Sequence, residues 1–292
     1  LLENINPHSN SGPNSFAKKL TPHLNNLGHS LVTEGDADAS LCFIESHREP
    51  QQPRLLRLDG IYFNTAQDYE NLNKTIRKTY NQSKGIVFQS EFNRELITRY
   101  FGEHPNTTVI HNGADEATIA DTPPLTNTKF NNIWSCAASW RPHKRLNENI
   151  RYFMEHKADG DVLIVAGDVN PQDRISDPNV AYMGQLTQQQ LFSLYKASTN
   201  FLHLAWLDHC PNVVVDARAC GCHIICSTAG GTREIAGLNS TLIEEPTWNF
   251  EPIELYKPPS MDFSKKINNT EESCYNMSNV AKKYDAALRE II

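Results

Sequence analysis

Two acids eight positions apart, Asp208 and Asp216, frame a stretch that could bind a hydroxyl-rich anionic ligand. Asp208 follows an apolar run ending near Trp206 that reads as a buried strand. Asp216 falls on a helix expected over 212–219, and 223–226 reads as a second buried strand. In open α/β sheets ligands gather at the carboxyl ends of strands, beside helix N-termini whose free amides favour phosphate. Both acids therefore border an expected ligand crevice. A second cluster is cationic: Arg141, His143, Lys144 and Arg145 lie in a loop between an expected strand over 132–138 and a helix running to about His156. Lysine supplies a point charge and arginine a planar fork of donors, which together suit a diphosphate; Arg145 reads equally well as a surface cation. A third acid, Asp59, ends an expected strand over 55–58 and stands before Gly60, so it is either a functional strand-end residue or a turn former capping backbone amides.

The acid-x7-acid spacing, the small-residue helix end 219–222, and Ser227-Thr228-Ala229-Gly230-Gly231-Thr232-Arg233-Glu234 resemble the donor-binding signature of retaining GT-B glycosyltransferases, glycosyl transferases group 1, family four. That family usually carries glutamates where this chain has aspartates, shorter by one methylene. The resemblance implies an α/β fold of two Rossmann-like domains facing across a cleft, and transfer of a hexosyl group from a nucleotide-diphospho-sugar to an acceptor hydroxyl with retention of configuration. It implies that Asp208 meets hydroxyls of the transferred sugar, that Asp216 meets the ribose, and that Asn212 and Val213 on the same helix also contact the donor. Arg141 and Lys144 would neutralise the diphosphate, although the family's usual arginine position, just after the strand, holds Ala138 or Ser139 here. Tyr182, Met183 and Gly184 lie in a segment resembling the one whose backbone recognises the base. Gly12, in the loop 6–13, would reach toward the donor phosphates, and Asp59 would stand near the acceptor hydroxyl. No metal and no cofactor are implied, the nucleotide-diphospho-sugar being the substrate.

The elements that must position these residues can be read from punctuation and periodicity. A chain of 292 residues favours two domains. The first, over 1–122, is expected to bind the acceptor; the second, over 123–270, the nucleotide-sugar; and a helix over 271–292 is expected to cross back to the first. Short strands are expected at 31–33, 40–44, 85–89 and 162–166. Helices are expected over 14–27, 66–82, 90–101 and 187–197, with Ser90 as a cap and Gly102 as a stop. His111-Asn112-Gly113-Ala114-Asp115 closes the first domain, and the turn formers at 120–125 read as the connection.

Composition narrows the alternatives. No apolar run approaches the roughly 20 residues of a membrane helix, and a net charge of −7 argues against a broad nucleic-acid footprint. A strip of Lys18, Lys19, Arg48 and Arg57 keeps a nucleic-acid acceptor open beside a glycan, lipid-linked or macromolecular one. Seven cysteines, an odd number without disulfide-scaffold spacing, favour reduced thiols in a cytoplasmic setting. Cys220, Cys222 and Cys226 lack the spacing of a CxxC pair and read as structural thiols rather than metal ligands. No G-x-G-x-x-G follows a strand, which removes a nicotinamide dehydrogenase. The alternative that stays open is a catalytically silent nucleotide-sugar-binding or scaffold protein of the same fold.

Overall fold

The computed structural model describes residues 1–9, 11–126 and 129–292; Asn10, within the loop expected at 6–13, lies outside them. The first of two sheets is wholly parallel: β1 (Leu2–Glu3), β2 (Ser40–Phe43), β3 (Arg54–Leu58), β4 (Gly85–Phe88) and β5 (Thr107–Val109), in that order. Parallel strands need crossovers, and the helices supplying them cover both faces, so β2, β3 and β4 are buried along their whole length, Arg54 and Arg57 of β3 included. Alternation survives only in which face each residue meets. Leu41, Phe43, Leu55 and Val87 pack under α1 (Gly12–Asn26), whereas Cys42, Leu56, Leu58, Ile86 and Phe88 pack under α2 (Tyr69–Gln82) and α3 (Glu91–Phe101). The strand expected at 31–33 does not form. Leu2 N donates to Val32 O at 2.8 Å, which lays this segment along the outer edge of β1, but the turn formers Glu34-Gly35-Asp36 follow at once and no ladder develops.

The second sheet runs β12-β11-β10-β9-β6-β7-β8. Its strands are β6 (Ile133–Ala137), β7 (Val162–Ala166), β8 (Val180–Gly184), β9 (Ser198–His203), β10 (His223–Ser227), β11 (Thr241–Ile243) and β12 (Lys266–Asn268), of which β12 alone is antiparallel. The chain lays β7 and β8 on one side of β6 and then returns to build β9, β10 and β11 on the other. This is the doubly wound order, and its strand order reverses between β6 and β9. The helix α4 (Glu116–Asp121) occupies ground expected to begin the interdomain connection; Asp115 caps it by accepting from Thr118 N. The helix α5 (Leu146–His156) lies on one face, with α6 (Gln188–Ala197), α7 (Asn212–Ala219) and α8 (Thr232–Ala236) on the other.

Two later segments tie the sheets together. After β11 the chain crosses to the first sheet, where Trp248 packs on Phe63 at 4.8 Å between ring centroids. Ile253 N donates to Phe63 O and Thr65 N donates to Ile253 O, each at 3.0 Å. It then returns, burying Met261 and Phe263 in the core of the second sheet. The final helix α9 (Met277–Ile291) begins six residues later than the start expected at 271, at the cap Asn276. Its Met277, Val280, Ala281, Tyr284, Leu288 and Ile291 recur at helical spacing and pack beside α1 on the first sheet.

Candidate functional site

The reversal between β6 and β9 places two loops side by side. The loop after β6 makes one 3-10 turn over Pro142–Lys144 and then turns left-handed at Arg145, φ 52°. Arg145 is no surface cation. Its side chain is 1% exposed and forks onto Glu245 at 2.8 and 2.6 Å, with a further bond to Pro259 O at 2.8 Å. That buried anchor sets the position of Lys144, whose Nζ meets Asp208 Oδ2 at 2.5 Å from the loop after β9. Asp208 also accepts from His203 Nε2 at 2.8 Å and, through Oδ1, from His209 N at 3.0 Å. Burial by itself would raise the Asp208 carboxyl, but the Lys144 ammonium and then His203 outweigh it and hold it well below the usual carboxylate range. Leu207, at φ 55°, turns the chain so that this acid faces inward. Gly230, at φ 95°, lets the next loop close on it: a Cβ there would lie 2.6 Å from Asp208 O.

Asp216 projects from α7 toward the first sheet and pairs with Lys19 of α1 at 3.0 Å. Burial raises its carboxyl, with Lys19 opposing. One turn earlier, Asn212 Nδ2 donates to Gly12 O at 3.1 Å. The N-terminus of α7, with Asn212 and Val213, therefore stands against the N-terminus of α1, and the first amides of each helix lack intrahelical acceptors. Lys19, read from sequence as part of a surface strip, is buried, and so is Arg57; the strip does not exist as a surface. Lys19 stands three residues after the core residue Phe16, on the flank of the buried stripe of α1, and that spacing was the available signal.

Asp59 lies at the end of β3, where it accepts from Arg57. Arg57 also donates to Asn112 Oδ1 at 2.8 Å, and Asn112 Nδ2 donates to Cys210 O at 2.7 Å, two residues beyond Asp208. Burial raises the Asp59 carboxyl, with Arg57 opposing. The chain thus brings Cys210, two residues beyond Asp208, against Asn112 of the first half and, through Asn112, links it to Arg57 and Asp59. Arg141 is exposed, and its guanidinium has no hydrogen bond among the described residues. At the end of β8, Met183 is 54% exposed, Gly184 turns at φ 65°, and Tyr182 Oη accepts from Ile175 N at 3.0 Å. His47 and Arg48 are exposed beyond β2.

Three contributors to this cleft were given no role of their own from the sequence. His203 precedes Asp208 by five residues, too far for local reasoning to pair them. Glu234, the last residue of the signature stretch, accepts from Glu91 N at 2.7 Å and Phe92 N at 2.9 Å at the start of α3, and His111 Nε2 lies 3.1 Å away. His209 lodges against Gly60, Phe92 and Asn93. Among the described residues no group of three or more His, Cys, Asp or Glu side chains is placed to hold a metal ion. Cys222 and Cys226 are buried and Cys220 half-buried, and burial pushes the Cys226 thiol up to about 12.

Residues 132–249 match the family described as glycosyl transferases group 1. No curated protein matches the chain. Among solved structures, AviGT4, a glycosyltransferase involved in avilamycin A biosynthesis, is 15% identical with a TM-score of 0.65, over 99% of this chain and 96% of its own. Anabaena HepE in complex with UDP is 12% identical with a TM-score of 0.63, over 94% and 82%. WaaG, a glycosyltransferase involved in lipopolysaccharide biosynthesis, is 14% identical with a TM-score of 0.53, over 98% and 76%. The fold is that of the GT-B glycosyltransferases, and residues 132–249, which hold Lys144, Asp208 and Asp216, carry the group 1 family match.

Proposed function

We propose that this protein transfers a hexosyl group from a nucleoside-diphosphate sugar to an acceptor hydroxyl, with retention of anomeric configuration. The observation that carries the reading is the Lys144–Asp208 pair at the strand-order reversal of the second sheet, within the stretch that matches group 1 glycosyltransferases. Lys144, with Arg141 reaching in from the rim, neutralises the diphosphate as the glycosidic bond breaks. Electrostatic help of this kind is worth about 3 kcal/mol per well-placed donor. Asp208 orients the sugar hydroxyls and Asp216 the ribose, while Asn212, Val213 and Gly12 offer backbone at the two helix starts. Tyr182, Met183 and Gly184 receive the base. Asp59 stands on the acceptor side.

Retention follows from attack on the face that the diphosphate leaves, which asks for no protein nucleophile. The leaving-group charge is met by side chains, so no metal ion is required in this scheme. The acceptor is a glycan end, a lipid-linked sugar or a macromolecule; a nucleic acid loses its support with the basic strip. Seven unpaired cysteines support a reducing compartment such as the cytoplasm.

Incubation with UDP-, GDP-, ADP- and dTDP-glucose and a set of methyl glycosides tests this, with product read by proton NMR. The expected product carries the anomeric configuration of the donor. An inverted product rules out the retaining step, and no product from a protein that binds nucleotide favours a silent nucleotide-sugar binder. One observation favours that second reading: Asp216, assigned to the ribose, is already paired with Lys19 at 3.0 Å.

A further inference from the structure

His209 follows Asp208 and reaches across to the first sheet. Its tautomer is fixed by a chain of hydrogen bonds. Asn93, fully buried at the start of α3, accepts from Gln89 N through Oδ1 at 3.3 Å, which assigns Nδ2 as the atom facing His209 Nδ1 at 3.1 Å. An amide nitrogen only donates, so Nδ1 accepts and the ring proton sits on Nε2. Burial, above all, lowers the imidazole to about 4, so the ring is neutral at physiological pH. Nε2–H has no hydrogen-bond partner among the described residues, yet it is not sealed in the core, since His209 is half-buried. Gly60 packs on the face of the ring. A Cβ there would fall 2.5 Å from Nε2, and Gly60 holds φ 147°. The imidazole fills the space a side chain at position 60 would need, so the glycine is what seats this fixed, neutral donor next to the end of β3 that carries Asp59.

We propose that His209 is a specificity-determining residue of this cleft, presenting Nε2–H, from a ring seated on Gly60, to an oxygen of the acceptor. The inference rests on the transfer reading above and deepens it on the acceptor side. A donor open to solvent and without an acceptor in its own protein is free to meet a ligand, and a ligand that displaces its water without accepting from it leaves it unmatched at a cost. A sugar hydroxyl meets it well, because its oxygen accepts from Nε2–H while its own proton stays free to be given to a carboxylate. An ammonium has no lone pair and is rejected. A site of this kind discriminates by the hydrogen bond that a wrong ligand fails to make.

The test compares wild type with His209→Phe, which keeps a ring of similar size without the donor, and His209→Gln, whose side-chain amide returns a donor near Nε2. Nucleotide binding is read first, by thermal shift with UDP, GDP, ADP, CMP and dTDP. Transfer from the matching nucleotide-glucose to methyl glycosides follows, and the 15N resonance of His209 Nε2 is recorded as those glycosides are added to nucleotide-saturated wild type. Expected are an unchanged nucleotide shift in all three proteins and a loss of about tenfold or more in kcat/KM for the glycoside in the Phe variant. Recovery in the Gln variant and movement of the Nε2 resonance complete the prediction. Equal transfer by wild type and the Phe variant, equal loss in both variants, or an Nε2 resonance unmoved by every glycoside overturns the proposal. Wild type that binds no nucleotide overturns the transfer reading and this inference with it, and is told apart by the thermal shift.

Discussion

Lys144 supports both the charge state of Asp208 and the diphosphate chemistry assigned to the cleft. Replacing it with Ala removes the group meeting Asp208 at 2.5 Å and leaves a mostly buried carboxylate on His203 and a backbone amide alone. The expected result is a turnover roughly a hundredfold lower, measured as nucleoside diphosphate release. Unfolding stability should also fall by about 3 kcal/mol, measured by urea titration. Histidine ionisation gives an independent check on the burial of the same cleft. Burial holds His143 at about 3 and His209 at about 4, while an unfolded chain protonates imidazole near 6.5. Between about pH 6.5 and pH 4 the unfolded state binds protons that the folded state refuses, so stability rises with pH across that window. Asp208, held well below its ordinary range, keeps its contribution down to about pH 4 and loses it below. The urea midpoint is expected to drop between pH 7 and pH 5, and to drop less in His143→Gln. A flat profile in wild type would mean that these rings are not buried and neutral. At this scale the places of Asp208 and Lys144 in strand-end loops and of Asp216 on a helix were legible from the apolar runs and helical stretch around them; the pairings of His203 and Lys19 were not, because their partners lie five residues and 197 residues away.

The helix α3 shows how an element can be fixed from across the molecule. Ser90 caps it locally by accepting from Asn93 N, and Glu234 of the other half supplies a carboxylate to the amides of Glu91 and Phe92. An anion at a helix N-terminus is stabilised by the free amides and the dipole together. Glu234→Ala is therefore expected to cost about 2 kcal/mol in unfolding, and Glu234→Gln about 1 kcal/mol, because the amide oxygen still accepts but carries no charge. If both variants match wild type in a urea titration, the cap contributes nothing. Gly231 makes this approach possible: a Cβ there would lie 2.1 Å from His209 O and 2.5 Å from Ser90 Oγ. The Ser90 cap was readable from its position before an apolar periodic run. The Glu234 cap was not, since no local pattern records a helix start 143 residues upstream. The element boundaries that slipped have local causes. At 31–33 one backbone bond to β1 forms before the chain turns away, and at 66–68 and 271–276 the helix waits for its cap, Asp68 accepting from Asn71 N and Asn276 from Asn279 N.

At the scale of the whole molecule, the terminal helix α9 belongs to the core of the first sheet. Tyr284 is fully buried and lies 5.7 Å from the ring of Phe16. Tyr284→Ala is expected to cost about 3–5 kcal/mol, comparable to other large aromatic truncations, and to lower the melting temperature accordingly. A chain ending at residue 276 should expose Phe16, Leu20 and Leu24 and bind a hydrophobic dye; a truncated chain that melts like the full one would contradict this packing. The doubly wound second half was legible because most of its strands are apolar runs separated by stretches of helical length and pattern. The antiparallel β12 escaped because Lys266-Ile267-Asn268 is an exposed edge with no apolar signature. The crossing segment around Trp248 escaped because its proline-rich composition records irregularity but not destination.

The measurement that bears most directly on the central claim is a nucleotide titration of wild type and Lys144→Ala, using UDP, GDP, ADP, CMP and dTDP with melting temperature as the readout. One nucleoside diphosphate should raise the midpoint selectively, by an amount corresponding to about 2.7 kcal/mol at a hundred times its Kd, and Lys144→Ala should lose that shift. A wild-type protein whose melting is unmoved by every nucleotide would contradict the assignment of this cleft to a nucleotide-sugar.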